Sequence, residues 1–121
     1  MPETHNSEFW DYVDHLIAHT RIVIDRPANS AHPDYDDMIY PLDYGYLAGT
    51  TSSDGSGIDV WLGAGGSQDV VGVICTVDLL KRDTEVKLLL GCTAKEMRTV
   101  VDFLNHSDGI RCFLVKRETA D

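Results

Sequence analysis

Apolar residues recur along this chain at two spacings, three-to-four and two, and the switches between them mark out its elements. Between residues 7 and 19, Phe9, Trp10, Val13, Leu16 and Ile17 fall on one stripe, which predicts an amphipathic helix. Ser7 suits its cap, and Glu8 stands in the first turn, where a carboxylate meets the positive helix end. Residues 21–26 (RIVIDR) are β-branched and predict a strand that Pro27 stops. A polar loop is expected over 28–37. Residues 38–48 (MIYPLDYGYLA) read as extended and aromatic, with Pro41 keeping part of them out of a regular ladder.

A turn at 50–57 (TTSSDGSG) leads to an alternating strand at 58–62, and a second turn at 64–67 leads to a Val-rich strand at 70–78. The unbroken apolar run of that strand predicts cover on both faces. Its hairpin partner is 85–91 (EVKLLLG), reached through 79–84. Met97, Val100, Val101 and Leu104 give 93–106 a second helical stripe, and Thr93 and Glu96 have capping-box spacing. Asp108-Gly109 is a turn, and 110–115 (IRCFLV) a last strand. No repeat, low-complexity segment or linker interrupts this pattern. The 121 residues therefore predict one α+β domain, built on a small antiparallel barrel with helices beside it.

Composition narrows the function. A hydrophobic share of 43% suits a single modest core. Twenty acidic residues against ten basic ones give a formal charge of -10, which argues against a nucleic-acid partner. Such a protein acts on anionic phosphates only if divalent cations stand between its carboxylates and the substrate. No run of about 18 apolar residues is present, so no membrane span is expected. No basic stretch followed by an apolar one opens the sequence, so no secretory signal is expected either. Cys75, Cys92 and Cys112 are odd in number and lack zinc-ligand spacing, which fits free thiols in a reducing, cytoplasmic setting.

Several groups carry candidate chemistry. In Asp54-Gly55-Ser56-Gly57-Ile58-Asp59 a turn feeds a strand, an arrangement that aims two carboxylates at one point and suits magnesium. It equally describes an ordinary Asp-Gly turn beside a solvent-facing Asp59. Glu85 and Lys87 share one strand face, and Asp78 closes the strand before them. Facing carboxylates need neutralising, by a metal or by Lys87; the alternative is a salt bridge at a barrel rim. Asp25 and Arg26 close the first strand, either beside metal-bound water and phosphate or as a surface ion pair. Tyr40, Tyr44 and Tyr46 are hydroxyl donors or core aromatics. His15 and His19 are four apart but lie off the apolar stripe, without the glutamate of HExxH, and read as surface residues. Gly63-Ala64-Gly65-Gly66 fits no nucleotide fingerprint, and Ser56 has no nucleophile elbow.

The order of these segments resembles the soluble, family I inorganic pyrophosphatases. Val23-Ile24-Asp25-Arg26-Pro27-Ala28-Asn29 is followed by Tyr40-Pro41-Leu42-Asp43-Tyr44-Gly45-Tyr46, then Asp54-Gly55-Ser56-Gly57-Ile58-Asp59-Val60. Val71-Gly72-Val73, Asp78, Glu85 and Lys87 complete the series, which runs over about residues 22–90. The resemblance is to a compact branch of that family and implies a small mixed barrel of the oligonucleotide-binding type, with helices outside. It implies magnesium-dependent hydrolysis of inorganic diphosphate, with two or more metals clamping the substrate. Asp54, Asp59 and Asp78 would hold magnesium, with Glu85 as a further ligand and Asp25 at the shell of metal-bound water. Tyr44 and Lys87 would contact phosphate, and a homo-oligomer is implied.

Departures from that pattern imply altered chemistry. Ser56 stands where the family has an aspartate that binds metal and activates water. Asp34 stands near a family lysine. The family's hairpin with a phosphate-binding arginine reads as deleted, and its C-terminal tyrosine–lysine pair has no counterpart. Arg26 is a candidate replacement cation. Slow diphosphate hydrolysis is therefore expected, or hydrolysis of another phosphoanhydride; the alternative is a non-catalytic metal- and phosphate-binding module.

Overall fold

A computed structural model of the protein describes residues 7–118. Helix α1 (Ser7–Ala18) precedes strands β1 (Ile22–Arg26), β2 (Ala31–His32), β3 (Tyr35–Ile39), β4 (Asp43–Leu47), β5 (Asp59–Leu62), β6 (Val70–Asp78) and β7 (Asp83–Leu90). Helix α2 (Ala94–Asn105) and strand β8 (Ile110–Lys116) follow. No helix among the described residues is long and apolar enough to cross a membrane.

Six strands form one mixed sheet in the order β1-β4-β5-β7-β6-β8, and β2 and β3 form a separate hairpin. Every neighbouring pair is antiparallel except β5 and β7, which run parallel with Trp61 opposite Leu89. The fold is α+β as expected, but the sheet is open rather than closed into a barrel. β6 carries β7 on one side and β8 on the other, which leaves β8 and β1 as the two edges among the described strands.

Two-residue periodicity divides the sheet between the helices. Leu88 and Leu90 join a core with Trp10 and Val13 of α1, Leu47, Val60, Val70 and Val73. Leu89, between them, faces the other way and joins Trp61, Ile74 and Leu42 under Met97, Val100 and Leu104 of α2. Glu85 and Lys87 share the face of Leu89, so the polar residues continue the α2-side core outward. The expected double cover of 70–78 holds for its first part only, because Val77 is exposed.

Local chemistry fixes the frame. Thr93 caps α2, with Glu96 completing the capping box. The same carboxylate accepts from the Ala64 N–H at 2.9 Å, tying the turn before β6 to the helix. Arg117 holds α1 with paired bonds of 2.7 and 2.8 Å to Asp14 and lies over the Trp10 ring. Gly45 lies so close to β1 that a Cβ there would be 1.8 Å from the Val23 carbonyl oxygen, which accounts for the glycine between Tyr44 and Tyr46.

The segment expected as a loop over 28–37 instead contains the β2–β3 hairpin, with His32 opposite Tyr35 and Pro33-Asp34 as the turn. The three cysteines are free, and Cys92 is buried.

Candidate active site

Aromatic rings form the floor of the site. Trp61 is fully buried, with Tyr44 at 4.6 Å, Tyr40 at 5.7 Å and Phe103 of α2 at 5.7 Å between ring centroids. Such packing fixes Tyr44, whose hydroxyl emerges at the polar edge beside Lys87. The Pro27-Ala28-Asn29 segment is latched to this floor. Asp43 accepts from the Ala28 N–H at 2.8 Å, and Asn29, at φ 71°, donates its N–H to the Tyr40 carbonyl.

Lys87 is the centre of the polar edge. Its ammonium donates to the Tyr44 hydroxyl, to Asp59 Oδ2 and to Glu85 Oε1, each at 2.9 Å. An ammonium has three N–H donors, so all of them are engaged within the protein. Burial alone would discharge this lysine, but Tyr44 and Asp59 outweigh it and hold the ammonium charged. Burial likewise pushes the Tyr44 hydroxyl up, so it stays protonated, within reach of Asp59.

Glu85 faces two ways. Its Oε1 accepts from Lys87, whereas Oε2 is buried without a partner. Burial, and a carboxyl–carboxyl hydrogen bond with Asp54 in the ion-free protein, push its carboxyl up, while that bond, Ser52 and the Ser56 N–H draw Asp54 down to about 2. Asp54, Asp83 and Glu85 each offer an oxygen within 4.8 Å of the others. Three hard oxygen donors, one of them from a residue with an unpartnered buried oxygen, fit magnesium or calcium rather than zinc. Asp54 is aimed by its own loop, where Ser52 Oγ and the Ser56 N–H donate to Oδ1 at 2.7 and 2.9 Å. Ser53 Oγ donates to the Thr84 carbonyl and ties that loop to β7.

Of the residues expected here, the structure brings Asp54, Asp59, Glu85, Lys87 and Tyr44 together. Asp78 stays outside the group. Its Oδ1 accepts from the Leu80 and Lys81 N–H groups at 2.9 and 3.0 Å, so it shapes the β6–β7 turn. Asp83, opposite it in the hairpin, is the acid that lies within the oxygen cluster. Asp25 is also apart, exposed at a bulge between Ile24 and Arg26. Arg26 does reach the aromatic floor: it donates to the Tyr40 hydroxyl, with its guanidinium 5.4 Å from the Tyr40 ring and 5.8 Å from that of Tyr44. Tyr46 pairs with Asp59 across β4 and β5.

Three residues at the site escaped the sequence reading. Asp83 could have been found by stepping back two residues from Glu85 and Lys87 along the same strand face. His32 of the hairpin stacks on Tyr40 at 6.1 Å and accepts the Asp34 N–H on Nδ1, which places its proton on Nε2. Lys81, in the β6–β7 turn, lies near enough to His32 and Asp54 to lower both; for His32, burial is the larger cause. Neither carries a sequence signal, because His32 sits in a two-residue strand and Lys81 in a turn, and their partners are distant in the chain. His15 and His19 stack on each other at 4.0 Å on exposed α1, away from this group.

No protein-family model matches the sequence, and no curated protein matches it. Solved structures do share its fold. An inorganic pyrophosphatase from Neisseria gonorrhoeae superposes with a TM-score of 0.59 at 16% identity, over 74% of this chain and 77% of that one. An inorganic phosphatase from Anaplasma phagocytophilum superposes with a TM-score of 0.54 at 18% identity, over 79% of this chain and 80% of that one. At these identities the likeness is one of fold.

Proposed function

We propose that this protein is a slow, magnesium-dependent hydrolase of inorganic diphosphate or a related phosphoanhydride. The observation that carries the reading is the Asp54–Asp83–Glu85 oxygen cluster beside the buried Lys87 network, on a fold shared with an inorganic pyrophosphatase. A divalent cation held there supplies Lewis-acid polarisation of a phosphoryl oxygen and lowers the pKa of bound water. The chain's own residues do the rest. Asp54, Asp83 and Glu85 hold the cation, while Lys87 and Tyr44 keep Asp59 and Glu85 in place. Arg26, with Lys81 nearby, lends positive charge to the side where an anionic substrate enters.

Ser56 sets the expected rate. By the family resemblance it stands where an aspartate would accept a proton from water, and a hydroxyl is a far weaker base. Loss of a general base lowers a rate by about 10²–10⁴-fold. The same substitution favours a second reading, a metal- and phosphate-binding module without turnover.

Phosphate release from diphosphate with magnesium separates the two. The enzyme reading expects slow release by the wild type, at least tenfold less (about 1.4 kcal/mol of lost stabilisation) in Asp54→Asn, and faster release in Ser56→Asp. Silence of both wild type and Ser56→Asp would leave the binding module.

A further inference from the structure

We infer that this site holds a single divalent cation, and that the Lys87 ammonium is its built-in second cation, neutralising Asp59 and one oxygen of Glu85. The inference rests on the proposed cation binding at Asp54, Asp83 and Glu85, and it fixes how many ions that site admits.

The argument is one of donors and charge. The carboxylates gathered here are Asp54, Asp59, Asp83 and Glu85. Lys87 holds Asp59 Oδ2 and Glu85 Oε1 at 2.9 Å each, with Tyr44 taking the third N–H at the same distance. Its side chain is 10% exposed, as is that of Glu85. An ammonium so enclosed is fully satisfied and has little access to water for any donor it loses. A cation seated between Asp59 and Glu85 would meet a like charge and strand Lys87 without partners, which is among the more costly changes a protein interior undergoes. Glu85 Oε2 is the opposite case: a buried oxygen with no partner, on a residue that offers an oxygen within 4.8 Å of Asp54 and Asp83 oxygens. The two oxygens of Glu85 thus divide the site, one toward the lysine and one toward the place for an ion. Asp59 belongs wholly to the lysine's side.

The test is Mn2+ titrated into the full chain, with free ion read from its paramagnetic resonance signal and folding followed by circular dichroism. One Mn2+ per chain is expected for the wild type and for Lys87→Arg, and two for Lys87→Gln, where Asp59 and Glu85 Oε1 are released. Should Lys87→Gln fail to fold, Asp59→Asn decides the matter. It should keep one ion with affinity changed less than about fivefold, the scale of a lost neighbouring charge, whereas Asp83→Asn should weaken binding by more than about tenfold. Two or more ions per wild-type chain, a single ion in folded Lys87→Gln, or a loss beyond tenfold in Asp59→Asn would overturn the inference. Phosphate release measured alongside keeps it distinct from the proposed activity. Two ions with turnover overturn the inference and leave the activity; one ion without turnover does the reverse; no bound ion overturns both.

Discussion

Gly45 shows how one residue sets the site's geometry from behind. The flanking Tyr44 and Tyr46 are aromatic, yet between them β1 comes so near that a methyl group would lie 1.8 Å from the Val23 carbonyl oxygen. That contact holds β1 and Arg26 against Tyr44. Gly45→Ala must push β1 away, and a loss of at least about 3 kcal/mol is expected in urea unfolding. Residues of this kind were legible in the sequence as a motif, Tyr44-Gly45-Tyr46, though not as a reason. Asp78 and Asp83 show the reverse. Both are acids in the same hairpin, and only the backbone N–H groups of Leu80 and Lys81, which take up Asp78, decide which one faces Asp54.

The elements divide by the range of the interactions that make them. Both helices were legible because their stripes and the Thr93–Glu96 box are local signals, complete within about four residues. The β2–β3 hairpin was not: β2 has two residues, and the polar strand beside it lacks an apolar alternation. The parallel pairing of β5 with β7 also left no mark, since Trp61 and Leu89 are joined through the whole of β6, which itself pairs with β7. The α2 cap carries a pH dependence of known sign. The Ala64 and Thr93 N–H groups hold the Glu96 carboxyl below the usual carboxylate range. A group depressed in the folded state stabilises fully above its unfolded pKa, about 4.3, and loses that contribution as pH falls through the folded value. Stability measured from pH 6 downward should therefore fall more gently in Glu96→Gln than in the wild type. Glu96→Ala should lower stability at neutral pH by about 1–2 kcal/mol.

At the scale of the molecule, the proposed cation site in a chain of formal charge -10 would make folding and cation binding interdependent. A ligand bound only by the folded state stabilises by about 2.7 kcal/mol at a hundred times its Kd. For a chain of this length that is a rise in Tm of about 10 °C. Magnesium should produce it at constant ionic strength, and Asp54→Asn should remove it; equal shifts in both proteins would reduce the effect to general screening. The cluster also joins unlike parts of the fold. Asp83 and Glu85 sit on a paired strand, whereas Asp54 sits in an exposed Asp-Gly loop of the kind that proteases nick. A cation held between them would be a removable cross-link, closing the loop onto β7 beside the Ser53 tether. The lifetime of the peptide bonds over 51–57 should then follow the magnesium supply, with limited proteolysis fast under chelation and slow once the ion is restored.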